Sequence, residues 1–378
     1  MIDPVELTAA LIRCKSVTPR EDGALALLET LLAPAGFRCV RIRRSGIENL
    51  FARWGTGDPI FAFNGHVDVV PAGDPALWTH PPFGAVEQDG VLWGRGAVDM
   101  KSGVAAFVAA ALTLLRETPP EGSISLLITG DEEGDAIDGT RAILDWMREN
   151  DQRADVCLVG EPTSVERLGD VIKIGRRGSI TGMLRVTGKQ GHTAYPERAA
   201  NPLPVLAAIC LALAETRLDQ GSAHFQPSTL ALTSIDVDNP ASNVIPAEGR
   251  AVFNIRFNDR HDAASIKLWA RRIVDQALEG TGCAAELNWK ISGESFLTEP
   301  GPLTEIASDA IAARQGWRPE MTTGGGTSDA RFMKDLCPVI EVGLVGDTMH
   351  QVDERVPVAD IRDLSGIYLD ILRRFFQR

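Results

Sequence analysis

No two of the six cysteines in this chain form a Cys-x-x-Cys pair. Cys14, Cys39, Cys157, Cys210, Cys283 and Cys337 are scattered, several within apolar runs such as Asp155-Val-Cys-Leu-Val159. That placement suits reduced, buried thiols and a reducing cytoplasm rather than a disulfide framework. Positive charge is also scarce: 38 Lys and Arg stand against 51 Asp and Glu, a net −13. A nucleic-acid or anionic-membrane surface would need clustered Lys and Arg, so neither is an expected partner. No window reaches the roughly 18 uncharged apolar residues of a membrane span. The opening Met1-Ile-Asp-Pro-Val-Glu lacks the basic and then apolar stretches of an export signal. Repeats of solenoid period and low-complexity segments are absent too. The expectation is an unexported cytoplasmic protein that works on small molecules.

What is present is a chain of 378 residues, 44% hydrophobic, long enough for two domains and a large core. Strand-like and helix-like patterns alternate from Ile60 to Gly160: an apolar run to Val67, an alanine-rich run from Ser102 to Glu117, an apolar run from Ser123 to Thr129, an amphipathic stretch from Asp138 to Asn150, and a last apolar run from Asp155. Such alternation predicts an α/β fold with a mostly parallel sheet flanked by helices. From Val171 the period becomes strand-like with glycines, followed by a helix near Pro204 to Thr216 and strands at Thr229 to Ile235 and Arg250 to Phe257. This block reads as a separate α+β unit. The helix-loop-strand pattern resumes after Ser292, so the second unit is inserted in the first. The expected division is 1–178 and 293–378 for one domain, 179–292 for the insertion.

Ligands in open parallel sheets gather at the carboxyl ends of strands. In Ile60-Phe-Ala-Phe-Asn-Gly-His-Val-Asp-Val-Val70, His66 and Asp68 stand at such an end, spaced by two and so on one face. The run Asp131-Glu-Glu-Gly-Asp135 and Glu161 follow two further apolar strands, and His350 follows the last. Taken singly, each has a plainer reading: a satisfied core histidine, a solvated acidic loop, or, for Asp99 ahead of the alanine-rich run, a helix N-cap. Taken together, His66, Asp99, Glu132 or Glu133, Glu161 and His350 make two metal sites of three protein ligands each if one carboxylate bridges. Oxygen and imidazole donors without Cys are the style of a catalytic zinc site. Adjacent Glu132 and Glu133 fit a division in which one binds metal and the other shuttles protons. Asp68 is suited to hold the second nitrogen of the His66 ring. The Gly324-Gly-Gly-Thr-Ser-Asp329 loop lacks the Gly-Lys-Ser/Thr ending of a phosphate loop and reads better as a nest for a substrate carboxylate.

These residues resemble a known family. Gly65-His-Val-Asp-Val-Val-Pro71, Gly94-Arg-Gly-Ala-Val-Asp-Met-Lys101, Gly130-Asp-Glu-Glu-Gly134 and Gly160-Glu-Pro-Thr163 are similar to motifs of the M20 family of dinuclear zinc hydrolases. The likeness runs the whole length. The resemblance implies two zinc ions per subunit, replaceable by cobalt, with His66, Asp99 and Glu133 on one and Glu161, Asp99 and His350 on the other. It implies Glu132 as general base toward a zinc-bridging hydroxide. It also implies that the inserted domain is a lid and dimerisation domain whose His192 reaches the scissile carbonyl of the partner subunit, hence a homodimer.

A second set of motifs narrows the activity: Ile174-Gly-Arg-Arg-Gly-Ser179, Gln190-Gly-His-Thr-Ala-Tyr195, Asn243-Val-Ile-Pro246, Asn254-Ile-Arg-Phe257 and Gly325-Gly-Thr-Ser-Asp-Ala-Arg-Phe332. They resemble those family members that hydrolyse N-succinyl-LL-2,6-diaminopimelate to succinate and LL-2,6-diaminopimelate, in lysine and diaminopimelate biosynthesis. That substrate carries three carboxylates and one ammonium, and Arg176, Ser179, Asn243, Arg256 and Thr327 can anchor it through forked or single hydrogen bonds. A deacetylase of acetylornithine would meet one carboxylate and fits the paired arginines less well. A non-catalytic binding protein on the same fold would be expected to lack a ligand or Glu132, and none is missing.

Overall fold

The computed structural model describes residues 2–377. They divide into two compact units: 2–174 with Thr298–Thr322 and 328–377, and Gly175–Leu297 with Thr323–Thr327.

In the first unit the strands Ile60–His66 and Ser123–Thr129 are buried at every position. Near-continuous apolar runs of this kind form only where helices cover both faces of a sheet. The sheet has eight strands in the order Arg38–Arg44, Ile47–Trp54, Ser123–Thr129, Ile60–His66, Val156–Val159, Val339–Glu341, Val171–Lys173, Glu320–Thr322. Four neighbouring pairs are parallel. The antiparallel edge begins with the hairpin Arg38–Arg44 and Ile47–Trp54, whose turn residues Ser45 and Gly46 both take positive φ (49° and 90°), as a tight two-residue hairpin turn requires.

Helix Lys101–Glu117 lies against Ile60–His66, and helix Val358–Phe376 packs on it. Its alanines allow the close approach, and Phe107 stacks on Phe63 with ring centroids 4.2 Å apart. Tyr368 closes this layer and donates its hydroxyl to the Val342 carbonyl at 2.6 Å. Helix Thr140–Glu149 covers the hairpin and Ser123–Thr129. The consequence for function is directional. Three adjacent parallel strands end at His66, just before Asp131, and just before Glu161.

The second unit is an antiparallel sheet, Thr229–Asp236, Glu248–Phe257, Gly178–Thr187 and Ala284–Gly293, with helices Pro202–Glu215 and Ala263–Leu278 packed on it. Alternate residues of Glu248–Phe257 are buried, the mark of a sheet with one covered face. The sequence placed the boundaries at Ser179 and Ser292; in the structure they fall at Gly175 and Leu297. The reason is local pairing: Gly175–Arg176 forms a ladder with Phe296–Leu297, so both connecting segments belong to the second unit. Thr323–Thr327 also joins that unit, through the Arg176 Nη1 bond to the Gly326 carbonyl at 3.1 Å and the Thr323 hydroxyl bond to the His224 carbonyl.

Within this unit Asp219 ties a loop together, accepting from Gly221 N at 2.6 Å and Asn258 Nδ2 at 2.6 Å. Burial pushes its carboxyl up, but hydrogen bonds from Ser228, Gly221 and Asn258 outweigh that and hold it at about 2. A depressed pKa contributes stability that is present above the ordinary value of 3.8 and lost as pH falls through about 2. Asp219→Asn should therefore destabilise the second unit at neutral pH and flatten its loss of stability on acidification. Denaturant midpoints measured across that pH range check this; an unchanged profile would show that Asp219 carries none of the acid sensitivity.

Candidate metal centre

His66 ends its strand with the ring almost wholly buried. Its Nδ1 lies 2.9 Å from the Asp68 carbonyl oxygen. A carbonyl can only accept, so Nδ1 carries a proton, and Nε2 is the ring nitrogen turned toward the acids. Nε2 points at Asp99 Oδ1, 3.0 Å away, with Glu161 Oε1 at 3.7 Å. The other Asp99 oxygen, Oδ2, lies 3.3 Å from His350 Nε2, which is also 2.9 Å from Glu133 Oε1. Two groups result, His66–Asp99–Glu161 and Asp99–Glu133–His350, each with ligand atoms within 4.8 Å of one another.

The five donors expected from the sequence are thus brought together with Asp99 shared, but two carboxylates are exchanged: Glu161, not Glu133, joins His66. Val156–Val159 and Ser123–Thr129 are both bonded to Ile60–His66, so strand order brings both acids near and the loops separate them. Glu161, just past Gly160 at the end of its strand, lies beside the imidazole, while Glu133 stands further along the loop after Ser123–Thr129, on a backbone held by Asp68, and meets His350. Asp68 also differs from expectation. Its backbone carbonyl, not its carboxylate, holds the His66 ring; the carboxylate is 3.7 Å from Nδ1. That carboxylate instead accepts from Thr18 Oγ1 at 2.7 Å and from the backbone amides of Glu132 and Glu133 at 3.3 and 3.1 Å. It fixes the acidic loop. Burial raises the Asp68 pKa to about 6 against the lowering influence of His66 and these bonds.

The electrostatics favour a cation. Burial pushes the Asp99 carboxyl up, yet hydrogen bonds from His350 and His66 hold it well below the ordinary carboxylate range. The imidazoles answer in kind. Hydrogen bonds to Asp99 and Glu133 raise His350 to about 10. Burial works against the charged form of His66, but its bond to Asp99 and the charges of Glu161, Asp99 and Asp68 raise it well above its usual value. The acids thus favour positive charge on both imidazoles, as they would favour a divalent ion in the same place. Oxygen and imidazole donors with no thiol suit a hard or borderline ion, so the residues present fit a two-metal centre. Glu132 is half-buried; burial, then the charges of Glu161 and Asp329, push its carboxyl well above the usual range. A carboxyl so placed readily holds a proton.

The remaining expected residues lie in the second unit. Buried Arg176 bonds to Gly326, next to Thr327; Ser179 pairs in register with Arg256 and accepts from Asn254 Nδ2 at 3.3 Å. His192 is exposed, on the short strand Gly191–His192 paired with Val244–Ile245, and the neighbouring Thr193 amide donates to the Asn243 carbonyl at 3.1 Å. Sequence reasoning missed Glu354, which accepts the Asp99 amide, and buried Asp329, which faces Arg331 at 4.0 Å. Their only sequence signals were proximity to His350 and the end of the glycine loop.

Residues 62–374 match the model of peptidase family M20/M25/M40, and the chain belongs to that family. A relative from Ruegeria pomeroyi, 59% identical over 377 residues and covering 99% of both chains, is named succinyl-diaminopimelate desuccinylase. Among solved structures, a tripeptidase from Staphylococcus aureus superposes with a TM-score of 0.80 at 19% identity, over 100% of this chain and 98% of that one. A dinuclear metal-binding M20 peptidase from Bacillus subtilis does so with a TM-score of 0.76 at 16% identity, over 99% and 98%.

Metal ions must displace the imidazole protons, so binding at neutral pH should release protons and tighten as pH rises. Calorimetry of zinc binding in buffers of different ionisation enthalpy measures the release. His350→Ala should release fewer protons than the wild type; equal release would show that His350 is not protonated in the metal-free protein.

Proposed function

We propose that this protein hydrolyses the amide bond of N-succinyl-LL-2,6-diaminopimelate, giving succinate and LL-2,6-diaminopimelate, as a zinc-dependent homodimer of the cytoplasm in which cobalt can replace zinc. The observation that carries the reading is full-length identity of 59% to a relative of that name, together with a donor set suited to two ions. His66, Asp99 and Glu161 would hold one ion, and Asp99, Glu133 and His350 the other. When bound, the ions supply Lewis acidity toward the carbonyl and lower the pKa of water.

The chain's own residues do the rest. Nδ1–H of His66 is pinned by the Asp68 carbonyl, so the ring cannot turn away. Glu132, as the carboxylate, would take a proton from the attacking water and, as the carboxyl so formed, pass it to the departing amine nitrogen as the C–N bond breaks; the raised pKa suits a group that must hold that proton between the two steps. Arg176, Arg256, Ser179, Asn243 and Thr327 would bind the substrate's carboxylates, arginine by its forked donors. His192, exposed on its short strand, is available to the carbonyl oxygen in the active site of a partner subunit.

Zinc-loaded protein should release succinate from the succinylated substrate and little acetate from N-acetylornithine; the reverse preference would contradict the assignment. Glu132→Ala should keep both ions yet lose roughly 100- to 10,000-fold in kcat. Loss of the ions from folded Glu132→Ala would make it a ligand instead. Mixing inactive Glu132→Ala with inactive His192→Ala should restore part of the activity on subunit exchange, because the heterodimer has one site with both residues intact. Proven exchange without recovery would place His192 in its own subunit's site.

A further inference from the structure

Glu354 is neither a metal donor nor a substrate anchor, yet it is fully buried and enclosed by the segment that carries Asp99. Its Oε2 accepts from Arg95 Nη1 at 2.6 Å and from the Gly96 amide at 3.0 Å. Its Oε1 accepts from the amides of Val98 at 2.8 Å and Asp99 at 3.1 Å. The Glu354 carbonyl in turn accepts the Gly94 amide at 2.9 Å. For three amides to converge on one carboxylate the chain must curl, and Gly96 makes that curl with φ +83°, where a Cβ would come within 2.7 Å of Val69 Cγ1.

Arg95 supplies a second connection. Its Nη2 donates to the His350 carbonyl at 3.3 Å, and its guanidinium lies over the Trp78 ring at 5.3 Å. The strand Arg355–Pro357 that follows Glu354 is paired with Val91–Trp93, just before Arg95. One side chain and its guanidinium partner therefore join the backbone of the shared ligand Asp99 to the turn that carries His350. These ligands come from segments remote in sequence, so their 3.3 Å separation needs such a tie.

We propose that Glu354, with Arg95, is a positioning residue that sets the spacing of Asp99 and His350 and so holds the Asp99–Glu133–His350 group in metal-binding geometry. The His66–Asp99–Glu161 group depends on it less, because His66 is fixed by its own strand and the Asp68 carbonyl. The inference rests on the two-metal reading above. A glutamine in this place keeps the volume but has one acceptor oxygen, and its amide group would meet the Gly96 amide and the Arg95 guanidinium donor to donor.

The test is competitive zinc titration of dialysed full-length protein. The wild type should take up two ions, and His350→Ala marks the loss of the second. Glu354→Gln should keep one ion at near wild-type affinity and bind the other about 10- to 100-fold more weakly, the usual scale for a residue that orients a ligand. Wild-type affinity for both ions, or equal weakening of both, would overturn the proposal. Should Glu354→Gln not fold, hydrogen exchange of the metal-free wild type reads the same tie: slow exchange at Val98 and Asp99 supports it, and exchange at the rate of an open loop overturns it. Failure of the underlying reading looks different, since the wild type would then take up no zinc, and the proposal would fall with it.

Discussion

One carboxylate, Asp99, lies between two imidazoles, one oxygen toward each, and the first unit is organised to keep it there. A carboxylate removed from water costs several kcal/mol unless charge or hydrogen bonds compensate it. His66 and His350 hydrogen-bond to it and hold it ionised, and divalent ions would compensate the same charge. The sheet contributes by ending three parallel strands at one edge, so that His66, the Asp131–Glu133 loop and Glu161 arrive beside Asp99 without long, floppy connections.

The same site drives two acids in opposite directions. Asp99 is held ionised by its imidazole partners, whereas half-buried Glu132, near Glu161 and Asp329, is pushed toward the protonated form. Carboxyls separated in this way suit different tasks, one as a lasting partner for cations and the other as a proton carrier. The loop that carries Glu132 and Glu133 is itself fixed by two neighbouring acids. Asp68 takes the amides of both glutamates, and Asp131 takes those of Ile137 and Asp138 at 3.0 Å. Acidic side chains are here hydrogen-bonded to backbone amides, which fixes the loop's conformation.

Much of this was legible in the sequence because the relevant signals are local. Apolar runs ending in His or Glu mark strand ends at a sheet edge, and the five residues that the fold gathers around Asp99 stand in that pattern and in the family motifs. Pairing between sites was not legible, because Ile60–His66 sits between Ser123–Thr129 and Val156–Val159 and the choice depends on how each loop runs beyond its strand, above all on the bond from the Glu133 amide to Asp68, which no spacing along the chain reveals. The atom by which Asp68 holds His66 was not legible for a related reason. A residue two positions after a histidine can present its carbonyl as easily as its carboxylate, and only the fold decides. Glu354 escaped notice because its partners are backbone amides of a remote segment, invisible to any motif. The domain boundary shifted by a few residues because the two-residue ladder of Gly175–Arg176 with Phe296–Leu297 is too short to leave a periodic signal.

The central claim is that one carboxylate serves two metal ions. Anomalous diffraction at the zinc edge from crystals of the zinc-loaded protein tests it most directly. The account predicts two peaks per chain, one in contact with His66, Glu161 and an oxygen of Asp99, the other with His350, Glu133 and the second oxygen of Asp99. A single peak, or two peaks of which either is out of reach of Asp99, would contradict it.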